Sequence, residues 1–175
     1  GTAVREPHLV LEPRAANTSP AILYGTLIAH ARDPGGAVAV LPSDHAIAPA
    51  ETFREDLSAA VALAMKRDTI VTFGIPPDHP NTGYGYIERG AAIEGFGAHD
   101  VVAFREKPDA DTARAYVADG RYAWNSGMFV CSSARLLRAY RTHYPACAGP
   151  MDALLDSLRR GGPAPGIRWR LRHWT

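Results

Sequence analysis

A few polar positions in this sequence have the type and placement to act on a phosphorylated, hydroxyl-rich ligand. Asp44 stands in Leu41-Pro42-Ser43-Asp44-His45, three residues past the apolar run Ala37-Val38-Ala39-Val40-Leu41. In an open α/β sheet, ligands bind beyond the carboxyl ends of the strands. A carboxylate placed there can hold a Mg²⁺ ion that bridges phosphate oxygens, because a hard cation takes oxygen ligands. It can equally cap a turn together with Ser43. Glu12 and Asn17 follow another short apolar run, His8-Leu9-Val10-Leu11. A carboxylate at that edge can accept from the ring N–H and exocyclic amine of guanine, whereas Asn17 or Thr18 can serve as a helix cap. Glu106-Lys107-Pro108 closes an alternating segment. Glu106 can accept from vicinal sugar hydroxyls and Lys107 can donate to a sugar phosphate; the competing reading is a surface ion pair. Asn125 offers one acceptor and two donors to a hydroxyl beside the apolar wall of Trp124, or else forms an Asx-turn ahead of a strand. Gly83 and Gly85 flank Tyr84 and allow close backbone approach to a ligand, or mark a β-bulge.

Residue usage sharpens one of these. Of 19 basic residues only two are lysine, Lys66 and Lys107. A chain that otherwise spends arginine on its cations has a compact point charge at Lys107, as suits a phosphate oxygen.

The elements that must position these residues alternate in the first half. Residues 19–30 are apolar nearly all round, as in a buried helix, and Asp33-Pro34-Gly35-Gly36 ends it. Residues 37–41 read as a strand buried on both faces of a parallel sheet. Residues 51–67 form an amphipathic helix, with Thr52 and Glu55 at capping-box spacing, and residues 69–74 form the next strand. Strand–helix–strand alternation argues an α/β sheet with right-handed crossovers. In the second half, residues 84–89 and 101–106 read as strands around a glycine-rich turn region (Gly90, Gly95, Gly97). A helix over 109–119 closes at Gly120, a strand covers 127–131, and Ser132 or Ser133 caps a helix through Tyr144. A last helix spans 151–160, then Gly161-Gly162-Pro163-Ala164-Pro165-Gly166 leads into an arginine-rich tail. The domain is therefore expected over 1–160 and the tail over 161–175.

Composition excludes several classes. At 175 residues with 46% hydrophobic and 21% charged content, the chain suits one globular domain with a core. A net charge of +1 provides no field for nucleic acid or an anionic membrane. No apolar run reaches the ~20 residues of a membrane span, and the N-terminus lacks a secretory pattern. Cys131 and Cys147 make neither a disulfide framework nor a metal set and are expected as small buried or half-buried thiols in a reducing cytoplasm.

Taken in order, the motifs Glu12-Pro13, Asn17-Thr18-Ser19-Pro20-Ala21, Leu41-Pro42-Ser43-Asp44-His45, Thr82-Gly83-Tyr84-Gly85-Tyr86, Phe104-Arg105-Glu106-Lys107-Pro108 and Trp124-Asn125-Ser126-Gly127-Met128-Phe129 resemble the sugar-phosphate nucleotidyltransferases. Within these the likeness is to the mannose-1-phosphate guanylyltransferases of the long bacterial type, and it runs from about Leu9 to Pro145. The resemblance implies a Rossmann-like, GT-A-type mixed sheet flanked by helices. It implies the reaction of GTP with mannose 1-phosphate to give GDP-mannose and pyrophosphate, with Mg²⁺ as cofactor, in the cytoplasm, and it is compatible with a homo-oligomer. It assigns catalytic roles to Asp44 and Lys107, metal binding to Asp44, and substrate contacts to Glu12, Asn17, Gly85, Glu106, Lys107 and Asn125. The sequence departs from the family where Ala16 replaces an arginine, with Arg14 two places earlier. The family's glycine-rich, arginine-containing loop has no counterpart in the eight residues before Leu9. Its second metal carboxylate has none after Pro145. The domain is therefore expected truncated at both ends, and a non-catalytic module that binds a sugar phosphate or sugar nucleotide, or a partner subunit, is the alternative.

Overall fold

Residue 10 and residues 17–161 are described by the computed structural model. Glu12, most of the expected first strand and the tail from residue 162 lie outside the described residues. Contacts cluster into two compact units, residues 1–38 with 131–175, and residues 39–130.

In the first unit, α1 (Thr18–Arg32) ends at Asp33, whose carboxylate accepts from the Gly35 N–H at 3.1 Å. Further along the chain come α4 (Ser133–His143), a 3₁₀ turn (Pro145–Cys147) and α5 (Ala148–Arg159). The Ser132 side chain caps α4 by accepting from the Arg135 N–H at 3.0 Å. Leu27 of α1, Leu137 of α4, and Met151 and Leu155 of α5 form a buried cluster. α1 is not covered all round as expected: only Thr26, Leu27 and Ile28 are buried, with Leu23 and Ala31 partly buried against the cluster around Leu27. Thr26 is accommodated there by bonding back to the Ile22 carbonyl at 2.7 Å. Cys131 and Cys147 are free thiols, and burial pushes Cys131 up to about 11, which keeps it protonated and inert.

The sheet comprises β1 (Ala37–Val40), β2 (Val71–Ile75), β3 (Gly85–Ile93), β4 (Ala98–Glu106) and β5 (Tyr122–Ser132), in the order β1-β5-β3-β4 with β2 also paired to β5. β2 and β3 each run antiparallel to β5, and β4 antiparallel to β3. β1, expected to be buried on both faces, instead alternates exposed and half-buried residues, since it ends the strand order of the described sheet.

In the second unit, α2 (Ala50–Arg67) packs Ala60 and Ala64 on Val130, flanked by Leu57, Val61, Val71 and Phe73. Its cap is Pro49, which makes no side-chain bond. The helix starts before Thr52, so the Thr52/Glu55 capping box does not form. α3 (Ala110–Asp119) opens on Asp109, which accepts from the Thr112 N–H at 2.8 Å, and closes on left-handed Gly120. Tyr116 of α3 stacks on Tyr122 with ring centroids 4.0 Å apart. Among the described residues no helix is long and apolar enough to cross a membrane.

Candidate functional site

A cavity of about 650 Å³ opens within the sheet unit. Its wall is made by the loop after β1 (Asp44 to Pro49), the first turns of α2 (Thr52, Phe53, Asp56), the end of β2, Tyr84, and Trp124 to Ser126 of β5. Each contribution follows from local structure. β1 ends at Val40, and after Leu41 and Pro42 the chain turns so that Asp44 lies exposed on the loop. The α2 N-terminus carries backbone N–H groups with no side-chain cap, at the positive end of the helix dipole.

The β5 contribution depends on an irregular register. Thr72 pairs with Phe129 and Gly74 with Asn125, so two steps along β2 correspond to four along β5. Gly127 takes up the slack at φ 74°, a conformation unfavourable for residues with a Cβ. The Ser126 hydroxyl donates to the Phe73 carbonyl at 2.7 Å and accepts from the Met128 N–H at 3.1 Å. Asn125 is therefore held inside a strand, with its Oδ1 accepting from the Gly127 N–H. The Asx-type contact occurs, but within β5, which starts five residues earlier than the sequence pattern indicates. Trp124 meets Tyr84 and His79 edge-on, at ring-centroid distances of 5.2 and 4.9 Å. Its indole Nε1 is the one buried side-chain polar atom among the described residues that lacks a hydrogen-bond partner.

Glu106 and Lys107 lie outside the cavity lining. Lys107 Nζ is 3.0 Å from Glu106 Oε1, with both side chains more than half exposed. The ion pair given above as the competing reading thus forms in the free protein. The Lys107 N–H donates to the Tyr84 carbonyl at 3.2 Å, so the pair is tied to the backbone of a cavity residue. Lys107 itself adopts φ 43°. Gly85 explains itself by close approach: a Cβ there would meet Phe104 Cζ at 2.6 Å and Glu106 Oε2 at 3.0 Å. It pairs regularly with Glu106 and forms no bulge. Asn17 occupies the cap position of α1 at φ 63° but makes no capping hydrogen bond, against the expectation of a side-chain cap. It belongs to the other unit.

The structure thus brings together Asp44 and Asn125 on one cavity and sets Gly85, Glu106 and Lys107 beside it through Tyr84. Sequence reasoning missed Thr72, Ser126 and Asp56. A hydroxyl interrupting the apolar run at 70–73 was the available signal for Thr72, and the Thr52–Asp56 helical spacing for Asp56. Two carboxylates, Asp44 and Asp56, line this cavity; Mg²⁺ typically takes one or two carboxylates with substrate phosphates and water. Among the described residues no group of three or more acidic, histidine or cysteine side chains forms an all-protein cage.

A family profile described as nucleotidyl transferase matches residues 3–161. The xanthan biosynthesis protein XanB of Xanthomonas campestris pv. campestris (strain B100) is 44% identical over 157 residues, covering 90% of this chain and 33% of the relative. The mannose-1-phosphate guanylyltransferase of Escherichia coli K12 is 42% identical over 160 residues, covering 86% and 33%. A Thermus thermophilus structure, described as a mannose-1-phosphate geranyltransferase, superposes with a TM-score of 0.75 at 30% identity, over 93% of this chain and 49% of that one. A Helicobacter pylori structure described as a mannose-6-phosphate isomerase gives 0.67 at 33% identity, over 81% and 51%. The chain spans about a third of the length of these curated relatives.

Proposed function

The chain belongs to the nucleotidyl transferase family, and from that premise we propose that it takes part in forming GDP-mannose and pyrophosphate from GTP and mannose 1-phosphate, in the cytoplasm. The observation that carries this reading is the cavity joining Asp44, the α2 N-terminus, Tyr84 and Trp124–Asn125. An anion is favoured at an uncapped helix N-terminus, a sugar face packs on an aromatic ring, and a carboxamide bonds a hydroxyl. One wall therefore suits phosphate and the other suits sugar.

In this reaction a phosphate oxygen of the sugar phosphate attacks the α-phosphate in line, and pyrophosphate leaves. Positioning and charge neutralisation supply most of the acceleration. Asn125 orients the sugar against Trp124 and Tyr84. Lys107, released from Glu106, donates to the sugar phosphate, and Glu106 then accepts from sugar hydroxyls. Glu12 and Asn17 contact the nucleotide. Asp44, with Asp56, would hold Mg²⁺, which supplies charge neutralisation on the phosphates when bound.

Pyrophosphate release from GTP and mannose 1-phosphate, measured in the intact protein, should require Mg²⁺. It should fall about a hundredfold or more in Asp44→Asn, the scale of losing a preorganised electrostatic partner. Turnover equal to wild type in that variant would overturn the assignment.

A further inference from the structure

We propose that Thr72 is a positioning residue that locks the Asn125 carboxamide in one orientation, so that the cavity presents N–H donors and reads an acceptor oxygen of the sugar phosphate. This deepens the reading above and rests on it for the identity of the ligand.

The contacts admit one assignment of the carboxamide. The Gly127 N–H approaches it at 3.3 Å, and a backbone N–H can only donate, so the facing atom is Oδ1. Thr72 Oγ1 lies 3.3 Å from the same Oδ1 and 3.0 Å from the Met128 carbonyl. Its single proton is shared between two acceptors. Oδ1 is thus held from both strands, by a hydroxyl of β2 and an N–H of β5. Among the described residues no hydrogen bond engages Nδ2.

The register shift makes this contact. Thr72 pairs with Phe129, four positions beyond Asn125 in the sequence, and only the slack at residues 126–128 brings the carboxamide back to the Thr72 hydroxyl. Ser126, bonded to the Phe73 carbonyl at 2.7 Å, fixes the slack in place. A carboxamide free to rotate can offer either its oxygen or its nitrogen to a ligand. One pinned at Oδ1 offers two N–H groups. Its complement is a lone pair, on a hexose hydroxyl or on a phosphate oxygen.

Thr72→Val keeps the side-chain shape and removes the hydroxyl; Thr72→Ser keeps the hydroxyl. In the free protein, the Asn125 side-chain amide pair in a ¹H–¹⁵N spectrum should shift or broaden in Thr72→Val and return in Thr72→Ser. Calorimetric affinity for mannose 1-phosphate should fall about five- to tenfold in Thr72→Val, the size of one neutral hydrogen bond, and recover in Thr72→Ser. Parallel titrations with mannose and with inorganic phosphate locate the acceptor: a loss carried by mannose identifies a hydroxyl, and one carried by phosphate identifies a phosphate oxygen. Unmoved Asn125 resonances in Thr72→Val would overturn the proposal. If wild type binds none of the three compounds, the functional reading fails, and the spectra alone still uphold or overturn the role of Thr72.

Discussion

In the unit built on α1, α4 and α5, polar side chains end on one another. Ser19 Oγ lies 2.9 Å from the Tyr140 hydroxyl, which also donates to the Ser19 carbonyl, and His30 Nδ1 lies 2.8 Å from Ser133 Oγ. The apolar remainder closes around Leu27, Leu137, Met151 and Leu155. The cavity in the sheet unit is arranged differently. Trp124 Nε1 is buried without a partner, the Asn125 side chain hydrogen-bonds only through Oδ1, and Ile47, Ile75 and Tyr84 are all more than a third exposed. An unpaired buried donor costs about 1–3 kcal/mol, and this one belongs to a residue that lines the cavity. The helical unit pairs these polar side chains, while the cavity wall keeps one buried donor unpaired and one carboxamide half-engaged.

The largest test of this contrast is in the scaffold. Leu137, 1% exposed, should cost about 2–5 kcal/mol of stability when cut to alanine, through lost burial and the cavity left behind. Affinity for mannose 1-phosphate, measured well below the unfolding midpoint, should hold. Asn125→Ala should do the reverse, leaving the urea midpoint within about 1 kcal/mol of wild type while weakening the sugar phosphate. A Leu137→Ala protein that stays folded but loses the ligand would break the division.

Lys107 separates charge from conformation. Its pair with Glu106 is solvent-exposed, so stability should change by about 0–1 kcal/mol on losing it. Its contact with the sugar phosphate should be worth about 1.5–3 kcal/mol, as for a hydrogen bond to a charged group. Lys107→Ala and Lys107→Gly should weaken mannose 1-phosphate alike, since both remove the ammonium. The glycine variant should be the more stable by about 1 kcal/mol, because φ 43° strains any residue with a Cβ. Lys66→Ala is the control and should leave affinity unchanged. Equal stability of the two Lys107 variants would mean that the left-handed conformation carries no cost.

What was legible in the sequence divides along the same line. Helix ends set by local chemistry read correctly: Asp109, Gly120 and Ser132 each act within a few residues of themselves. The α2 start read wrongly because Pro49 already sets an extended backbone that admits a helix one residue later, and the Thr52/Glu55 spacing carries no record of that. Asp44 and Asn125, which line one cavity, stood out in the sequence by type and by their places after or ahead of a strand. Thr72 was not, because its relation to Asn125 exists only through the slack at 126–128. A two-residue register change between strands more than fifty positions apart leaves no local pattern. Gly127 was the visible trace of it, and a single glycine in a strand pattern does not say which side chain it redirects.

The smallest effect should come from His30, within the satisfied scaffold. Burial lowers its pKa most, and the charges of Arg159 and Arg141 lower it further. Arg141 is held by Asp152 at 2.6 Å, which tempers its field. The folded protein therefore favours the neutral imidazole more than the unfolded chain does, where the pKa is about 6.5. A depressed folded-state pKa contributes stability that is fully present above the unfolded value and is lost as pH falls through the folded one. The contact with Ser133 need not break on protonation, because a hydroxyl oxygen can accept from either form of the ring. The loss arises from placing a charge where two guanidiniums and burial oppose it. His30→Gln keeps a side chain able to hydrogen-bond Ser133 and cannot titrate. The stability difference between wild type and His30→Gln, from urea midpoints, should therefore favour wild type most at pH 8. It should shrink steadily between pH 6.5 and 5. A difference that stays constant across that range would show that His30 is as easily charged in the fold as in the unfolded chain, and that burial and the two guanidiniums do not oppose its charge.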